Sequence, residues 1–213
     1  MIPRRDRRRG AALIEFVLVS TFFLIPLILG LLSMGFALSR SLQVAEMTRD
    51  VGRMAVRGLD FSVPANQELI VGSASRPNLP PMALGLGMQS NGGNVTGSTS
   101  GNGVLVLSTL TRISTTCGCS NSGQIVVAKR VVIGNNTLFT SAYGAPSASA
   151  ISSDTGAVAD YANDATARAS TFGSVVNLSS GEFAYVVEAK FRFPDLTIPG
   201  LYSAPAVSWL SVF

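Results

Sequence analysis

The sequence contains no histidine, two cysteines and only 13% charged residues. Without histidine, Ser-His-Asp and Cys-His nucleophile arrangements and most zinc and haem sites are excluded, and two cysteines cannot complete a four-ligand zinc site. A Ser-Lys pair would need Lys129 or Lys190, both of which are predicted to face solvent on strands. We therefore expect neither enzymatic activity nor a bound cofactor.

The net charge of +4 comes from the N-terminus alone. Five arginines and one aspartate in the first nine residues account for the whole net charge: Arg4, Arg5, Arg7, Arg8, Arg9 and Asp6. The charges of residues 10–213 therefore sum to zero. The sequence pI of about 9.5 therefore gives no support to nucleic acid as a partner.

A long apolar run follows the arginines. Residues 16–38 contain no charge, and 23 residues in a helix extend about 35 Å, enough to cross a hydrocarbon core of ~30 Å. Apolar side chains cover every face, so no side is suited to water. We predict a transmembrane helix over 11–39, with the basic leader 1–10 on the cytoplasmic side and the rest of the chain outside. The alternative is a secretory signal peptide, whose apolar region is shorter, ~7–15 residues.

Glu15 is the single ionisable residue inside the predicted transmembrane helix 11–39. An isolated carboxylate there is costly unless it is paired, protonated or close enough to the headgroups to be solvated. Its spacing favours a function, because Glu15 follows Gly10 after four residues and directly precedes Phe16, between the basic leader and the apolar helix.

This G-x-x-x-x-E arrangement resembles a type IV prepilin, and the run "RRGAALIEFVLV" most resembles the TadE family, the minor pilins or pseudopilins of tight-adherence (Tad) pili. The resemblance implies cleavage by a prepilin peptidase between Gly10 and Ala11, which makes Glu15 the fifth mature residue. It also implies a single-pass protein of the bacterial inner membrane with a periplasmic C-terminal domain. Its partners would be membrane lipid, the peptidase, other pilins or pseudopilins and the pilus assembly platform, and it could enter an extracellular pilus.

Cleavage would leave a free amine on Ala11, and a carboxylate nearby would neutralise it. We expect the partner to be Glu15 of an adjacent subunit, since such a pair would also set the axial stagger of the helices. Glu15 is thus a predicted assembly determinant.

The helix is predicted to continue as an amphipathic extension over 40–58, with apolar residues at helical spacing and Gly58 as the C-cap. Pro26 interrupts the apolar part, because it lacks a donor and crowds the carbonyl of Phe22, so a kink or a loosened turn is expected there.

Residues 59–213 are predicted to form a small periplasmic or extracellular antiparallel β domain, which makes the fold class α+β. Segment 73–103 is rich in Gly, Ser, Asn and Pro and is predicted to be a flexible loop. Segments 104–113 and 124–133 indicate an antiparallel hairpin, and the alternating segment 183–193 a half-buried strand. The remaining expectations are a fourth strand at 137–142 or 174–178, a short helix at 157–169, and a C-terminus, 201–213, that packs on the sheet or on the base of the helix.

Cys117 and Cys119 are expected to form a local disulfide in an oxidising compartment. An intermolecular bridge or thiol chemistry is the alternative, and the latter would make the chain a CxC oxidoreductase. A further alternative function is a permanently anchored periplasmic binding module with an uncleaved leader.

Overall fold

The computed structural model describes residues 6–72, 78, 80–197, 200 and 204–213. Arg4 and Arg5 of the predicted topology signal lie outside the described residues, as do 73–77 and 79 of the predicted flexible loop. Arg7, Arg8 and Arg9 are described as helical backbone only.

The N-terminal part of the fold is one long helix in three parts. These parts are α1 (Asp6–Val19), a π-helical turn (Ser20–Leu24) and α2 (Ile25–Val56). Gly10–Val56 is 47 residues long, and its most apolar window has a mean hydropathy of 2.5 with no residue buried. By length and composition, this helix could span a membrane. A shorter helix, α3 (Pro64–Val71), follows it.

The π-helical turn lies directly before Pro26. In it, the Ile25 N–H donates to the carbonyl of Ser20, five residues back. An α-helical turn would press the Pro26 ring against the carbonyl of Phe22, and the wider turn gives the ring room. The helix thus accommodates its proline by local widening.

Gly58 ends the helix in the left-handed region, with φ 91°. Its N–H donates to the Ala55 carbonyl at 3.0 Å and the Leu59 N–H to the Met54 carbonyl at 3.0 Å. This pair of bonds is a Schellman motif, which a residue without a Cβ adopts at little cost.

A five-stranded sheet in the order β1-β3-β2-β4-β5 forms the rest of the fold. All neighbouring strands pair antiparallel except β1, which runs parallel to β3. The strands are β1 (Thr96–Ser98), β2 (Gly103–Arg112), β3 (Ile125–Asn135), β4 (Phe183–Phe191) and β5 (Val207–Val212). The α+β class and the β2–β3 hairpin are therefore confirmed.

The contacts divide the chain into two units. We call residues 1–40 with 193–205 the anchor unit, and residues 41–192 with 206–213 the sheet unit. In the sheet unit, the buried side chains of α2 all come after residue 41, and Phe213 packs directly on Gly52. A cluster of buried residues from β2, β3, β4 and the irregular segment 143–178 forms one hydrophobic core of this unit.

The prediction that segment 183–193 is half-buried was wrong. Strand β4 lies between β2 and β5, and both its alternating faces are covered, with Glu188 only 4% exposed. The charged residues at alternate positions suggested a solvent face, but the carboxylate of Glu188 accepts hydrogen bonds from Ser141 and the Ala142 N–H, which its own strand does not reveal.

Three other expectations also differ from the structure. Neither 137–142 nor 174–178 is a strand, and the additional strands are β1 and β5. Segment 157–169 is not a regular helix, since it forms isolated bridges to β3 and a 3-10 turn at Ala165–Ala167. Within the predicted flexible loop 73–103, the described part contains β1 and buries apolar side chains, namely Ala83, Leu86, Met88 and Val95.

Candidate functional site

The residues of the predicted cleavage and pairing motif lie together on α1. Gly10 is the fifth residue of this helix, and Ala11 and Glu15 are four residues apart, which places them one above the other on one helical face. All three are exposed. Among the side chains that the structure describes, none forms a salt bridge with Glu15. The carboxylate is therefore presented outward, one turn from the predicted new N-terminus.

The apolar part of the helix is exposed all round. Large side chains such as Phe23, 76% exposed, make no contact that buries them. Exposed apolar surface on this scale, well beyond that of an ordinary soluble monomer, is suited to lipid or to other apolar helices.

A shallow groove of about 350 Å³ lies beside Pro26. It is apolar and follows the widened turn, with its lining drawn from both sides of that turn: Phe22, Phe23, Pro26, Leu27, Gly30, Leu31 and Met34. The widened turn before Pro26 therefore changes the shape of the helix surface as well as the backbone. A neighbouring helix or an acyl chain would contact this groove.

Arg40 is the first charged residue after the apolar run, and sequence reasoning did not single it out. Its guanidinium pairs with both carboxylate oxygens of Asp195, at 2.9 and 2.7 Å, and lies 5.3 Å from the ring centroid of Phe193. The hydrogen bond from Arg40 lowers the pKa of the Asp195 carboxyl, against the smaller opposing effect of burial. Two-point pairing and the aromatic face make this a well-oriented contact.

Cys117 and Cys119 form a disulfide bond in the connection between β2 and β3. The bridge closes over Gly118, which is exposed and has no neighbouring atom within 4 Å of where a side chain would start. In this position, the bridge stiffens a surface turn.

A cleft of about 410 Å³ lies in the sheet unit where α2 ends. Its walls are apolar residues of the helix end and the sheet, among them Leu59, Leu107 and Val187. At its rim, Lys129 Nζ contacts the two carboxylate oxygens of Asp60 at 2.7 and 2.8 Å. Lys129 was predicted to face solvent, but it holds the α2–α3 connection to β3.

The pKa of the Asp60 carboxyl is lower than usual. Burial, the largest single cause, raises it, but the hydrogen bonds from Lys129 and Ser62 together outweigh burial. The charged form of Asp60 is therefore the form that the fold stabilises.

A buried polar network on the other face of the sheet was not found from the sequence. Arg130 Nε donates to Ser108 at 3.0 Å, and its terminal nitrogens donate to Ser141 and to the carbonyls of Tyr143 and Gly144. Ser141 and the Ala142 N–H in turn donate to the Glu188 carboxylate. Burial lowers the pKa of Arg130 to about 10, and the negative charge of Glu188 opposes this effect. The network joins three strands to one loop.

Comparison with protein families gives a match over the helix. Residues 10–53 match the family described as TadE-like protein. No curated protein and no solved structure matches the chain. The matched range begins at Gly10, contains the apolar helix and ends three residues before α2 does. Over residues 10–53, which is less than half of the chain, the sequence is similar to this family.

Proposed function

We propose that this protein is a minor pilin or pseudopilin of a Tad-type pilus, with a structural role and no catalytic one. One observation carries the proposal: the TadE-like match begins at Gly10 and includes Glu15 and the exposed apolar helix. Before assembly, the helix anchors the chain in the bacterial inner membrane, with the N-terminus in the cytoplasm and the sheet unit in the periplasm.

In this proposal, a prepilin peptidase cuts between Gly10 and Ala11. Gly10 lies near the start of α1, where helices fray, so the bond becomes accessible without disturbing the rest of the helix. The new amine of Ala11 and the Glu15 carboxylate of a neighbouring subunit then pair in an apolar environment, where two unpaired charges would be costly.

Processing is tested by expressing the full chain with and without a prepilin peptidase and measuring the intact mass. We expect a species that begins at Ala11 only when the peptidase is present. A chain that keeps residues 1–10 in both cases contradicts the proposed processing.

Assembly is tested with Glu15→Gln, which keeps the shape of the side chain and removes its charge. We expect cleavage to persist while co-purification with other pilus components and incorporation into fibres fall. Glu46→Gln is the matched control, because Glu46 lies exposed on the same helix beyond the apolar run. Equal incorporation of the two variants would count against a role for Glu15 in assembly.

A second candidate function is a permanently anchored binding module, and the cleft of about 410 Å³ in the sheet unit favours it. Apolar clefts of this size with a few polar groups are common small-molecule sites. This candidate predicts an intact leader in the native host and no incorporation into fibres, the opposite result in both experiments above.

A further inference from the structure

The connection between β4 and β5 begins with a short turn beside the long helix. This 3-10 turn is Pro194–Leu196, which we call the Pro194 turn, and residues 193–205 belong with residues 1–40 in the anchor unit. Asp195 holds the turn against the helix, because its two carboxylate oxygens pair with the guanidinium of Arg40 at 2.9 and 2.7 Å. The turn therefore lies at the level of Arg40.

Arg40 lies within the exposed apolar surface of the helix and not beyond it. Exposed leucines precede and follow it on α2, since Leu38 is 63% and Leu42 55% exposed. A bilayer that covers these leucines also reaches the level of Arg40. An unpaired arginine at that level would be costly, and the Asp195 carboxylate neutralises it.

The Pro194 turn is suited to the same level. Asp195 is its single charged residue, and that charge is paired. The Leu196 N–H donates to the Phe193 carbonyl at 3.1 Å. Pro194 has no N–H, and its carbonyl accepts a hydrogen bond of 3.1 Å from the Thr197 N–H. These backbone groups are thus bonded within the turn, as lipid contact favours. Pro194 is exposed and Leu196 partly exposed, so the turn also presents apolar surface.

We propose that the Pro194 turn is a second membrane contact of this protein, at the boundary between headgroups and acyl chains of the periplasmic leaflet. Its partner is the lipid surface. Pro194 and Leu196 contact the upper part of the acyl chains, and the Arg40–Asp195 pair lies among the headgroups. The proposal rests on the anchoring of the helix proposed above. It adds a contact from a distant part of the chain, which fixes the depth at which α2 leaves the bilayer.

The test uses the full chain in phosphatidylcholine vesicles whose acyl chains carry bromine, which quenches a nearby indole. Every variant also carries Trp209→Phe, so that it has one indole. Leu196→Trp places the indole in the turn, Thr197→Trp places it at the exposed next position, and Phe23→Trp places it on the apolar helix. We expect bromine near the headgroup to lower the emission of both turn variants about twofold. Bromine near the chain ends should lower the emission of Phe23→Trp instead.

The outcomes separate this proposal from the anchoring on which it rests. Quenching of Phe23→Trp without quenching of either turn variant overturns this proposal and leaves the anchoring intact. No quenching of Phe23→Trp overturns the anchoring, and this proposal with it. An emission of the turn variants that changes with protein concentration but not with bromine identifies a second copy as the occupant and also overturns the proposal.

A second comparison tests whether Asp195 holds the turn at the membrane. With the indole of Thr197→Trp as the reporter, Asp195→Ala should abolish most of the quenching, because it leaves Arg40 unpaired and releases the turn. Asp195→Glu keeps the carboxylate and should retain the quenching. Asp50→Ala is the matched control, since Asp50 is exposed on α2 and pairs with Arg53. Equal quenching in Asp195→Ala and Asp195→Glu contradicts the proposal.

Discussion

The anchor unit and the sheet unit use the same apolar residue types in opposite ways. In the anchor unit, leucine and phenylalanine side chains of the helix are exposed on every face, whereas in the sheet unit Leu105 has no exposed area at all. The sheet unit creates its own apolar interior. The exposed apolar surface of the anchor unit is instead suited to an apolar surrounding, such as lipid or neighbouring helices.

The two units also differ in how they surround their charged side chains. The sheet unit surrounds a buried arginine and a buried glutamate with hydrogen-bond partners. The anchor unit exposes Glu15 within an apolar surface. A buried charge that is fully partnered stabilises one arrangement of the core, while a charge exposed on an apolar helix is costly unless a partner neutralises it.

The largest expected effect comes from removing the centre of the buried network. Arg130→Ala should lower the free energy of unfolding of the sheet unit by about 3–5 kcal/mol, because Glu188 stays buried without its cationic neighbour. Arg53→Ala, at an exposed pair with Asp50, should change it by less than about 0.5 kcal/mol. Denaturant unfolding followed by Trp209 fluorescence measures both. A small effect of Arg130→Ala would show that the network is not a stabilising feature of this unit.

The contrast between the two apolar environments is tested directly with two leucines. Leu105→Ala should destabilise the sheet unit by about 3 kcal/mol through lost burial and a cavity. Leu24→Ala, in the exposed part of the helix, should leave the same unfolding transition unchanged within about 0.5 kcal/mol. If Leu24→Ala were as costly as Leu105→Ala, the two units could not be treated as separate environments.

A smaller effect is expected where α2 meets the C-terminus. A Cβ on Gly52 would lie 2.0 Å from the Phe213 ring, so Gly52→Val must displace the ring and should cost about 1–2 kcal/mol. Gly35→Val is the control, because nothing lies within 4 Å of its new Cβ. Comparable stability of the two variants would mean that the ring moves aside without loss.

The smallest effect concerns acid stability. The fold lowers the pKa of the Asp60 carboxyl from its ordinary value of 3.8. Ionised Asp60 therefore stabilises the folded state above pH 3.8, and this stabilisation is lost as the pH falls through the lower pKa of the folded state. Asp60→Asn should remove this part of the acid sensitivity, whereas Asp50→Asn on the exposed face of α2 should keep it. Unfolding midpoints between pH 2 and pH 6 give the comparison; parallel pH profiles for Asp60→Asn and the unaltered chain would contradict it.

The features predicted correctly are those that depend on local sequence. A continuous apolar run predicts a helix, and the β-branched segments separated by a turn predict the β2–β3 hairpin, because neighbouring residues supply most of the information. The burial of β4 could not be predicted in this way, since the partners of Glu188 come from residues 141 and 142, more than 40 positions earlier. Strand β5 was also missed, because a short C-terminal segment becomes a strand only when β4 offers it an edge.

The residues of the candidate site also differ in whether local sequence indicates them. Gly10, Ala11, Glu15 and Pro26 are close in sequence, so a single helix determines their spacing and the sequence alone reveals them. The Arg40–Asp195 pair and the cleft beside Asp60 and Lys129 join residues that are far apart in the chain, and no local pattern indicates them.

By itself, the sequence determined a long helix too apolar for water, the basic residues before it and the one carboxylate within it, because charge and hydropathy act through composition and local spacing. Only the tertiary structure decided which strand is central and where Arg130 and Glu188 find their partners. These properties depend on which distant segments meet, and a residue's environment is set by those segments and not by its neighbours in the chain.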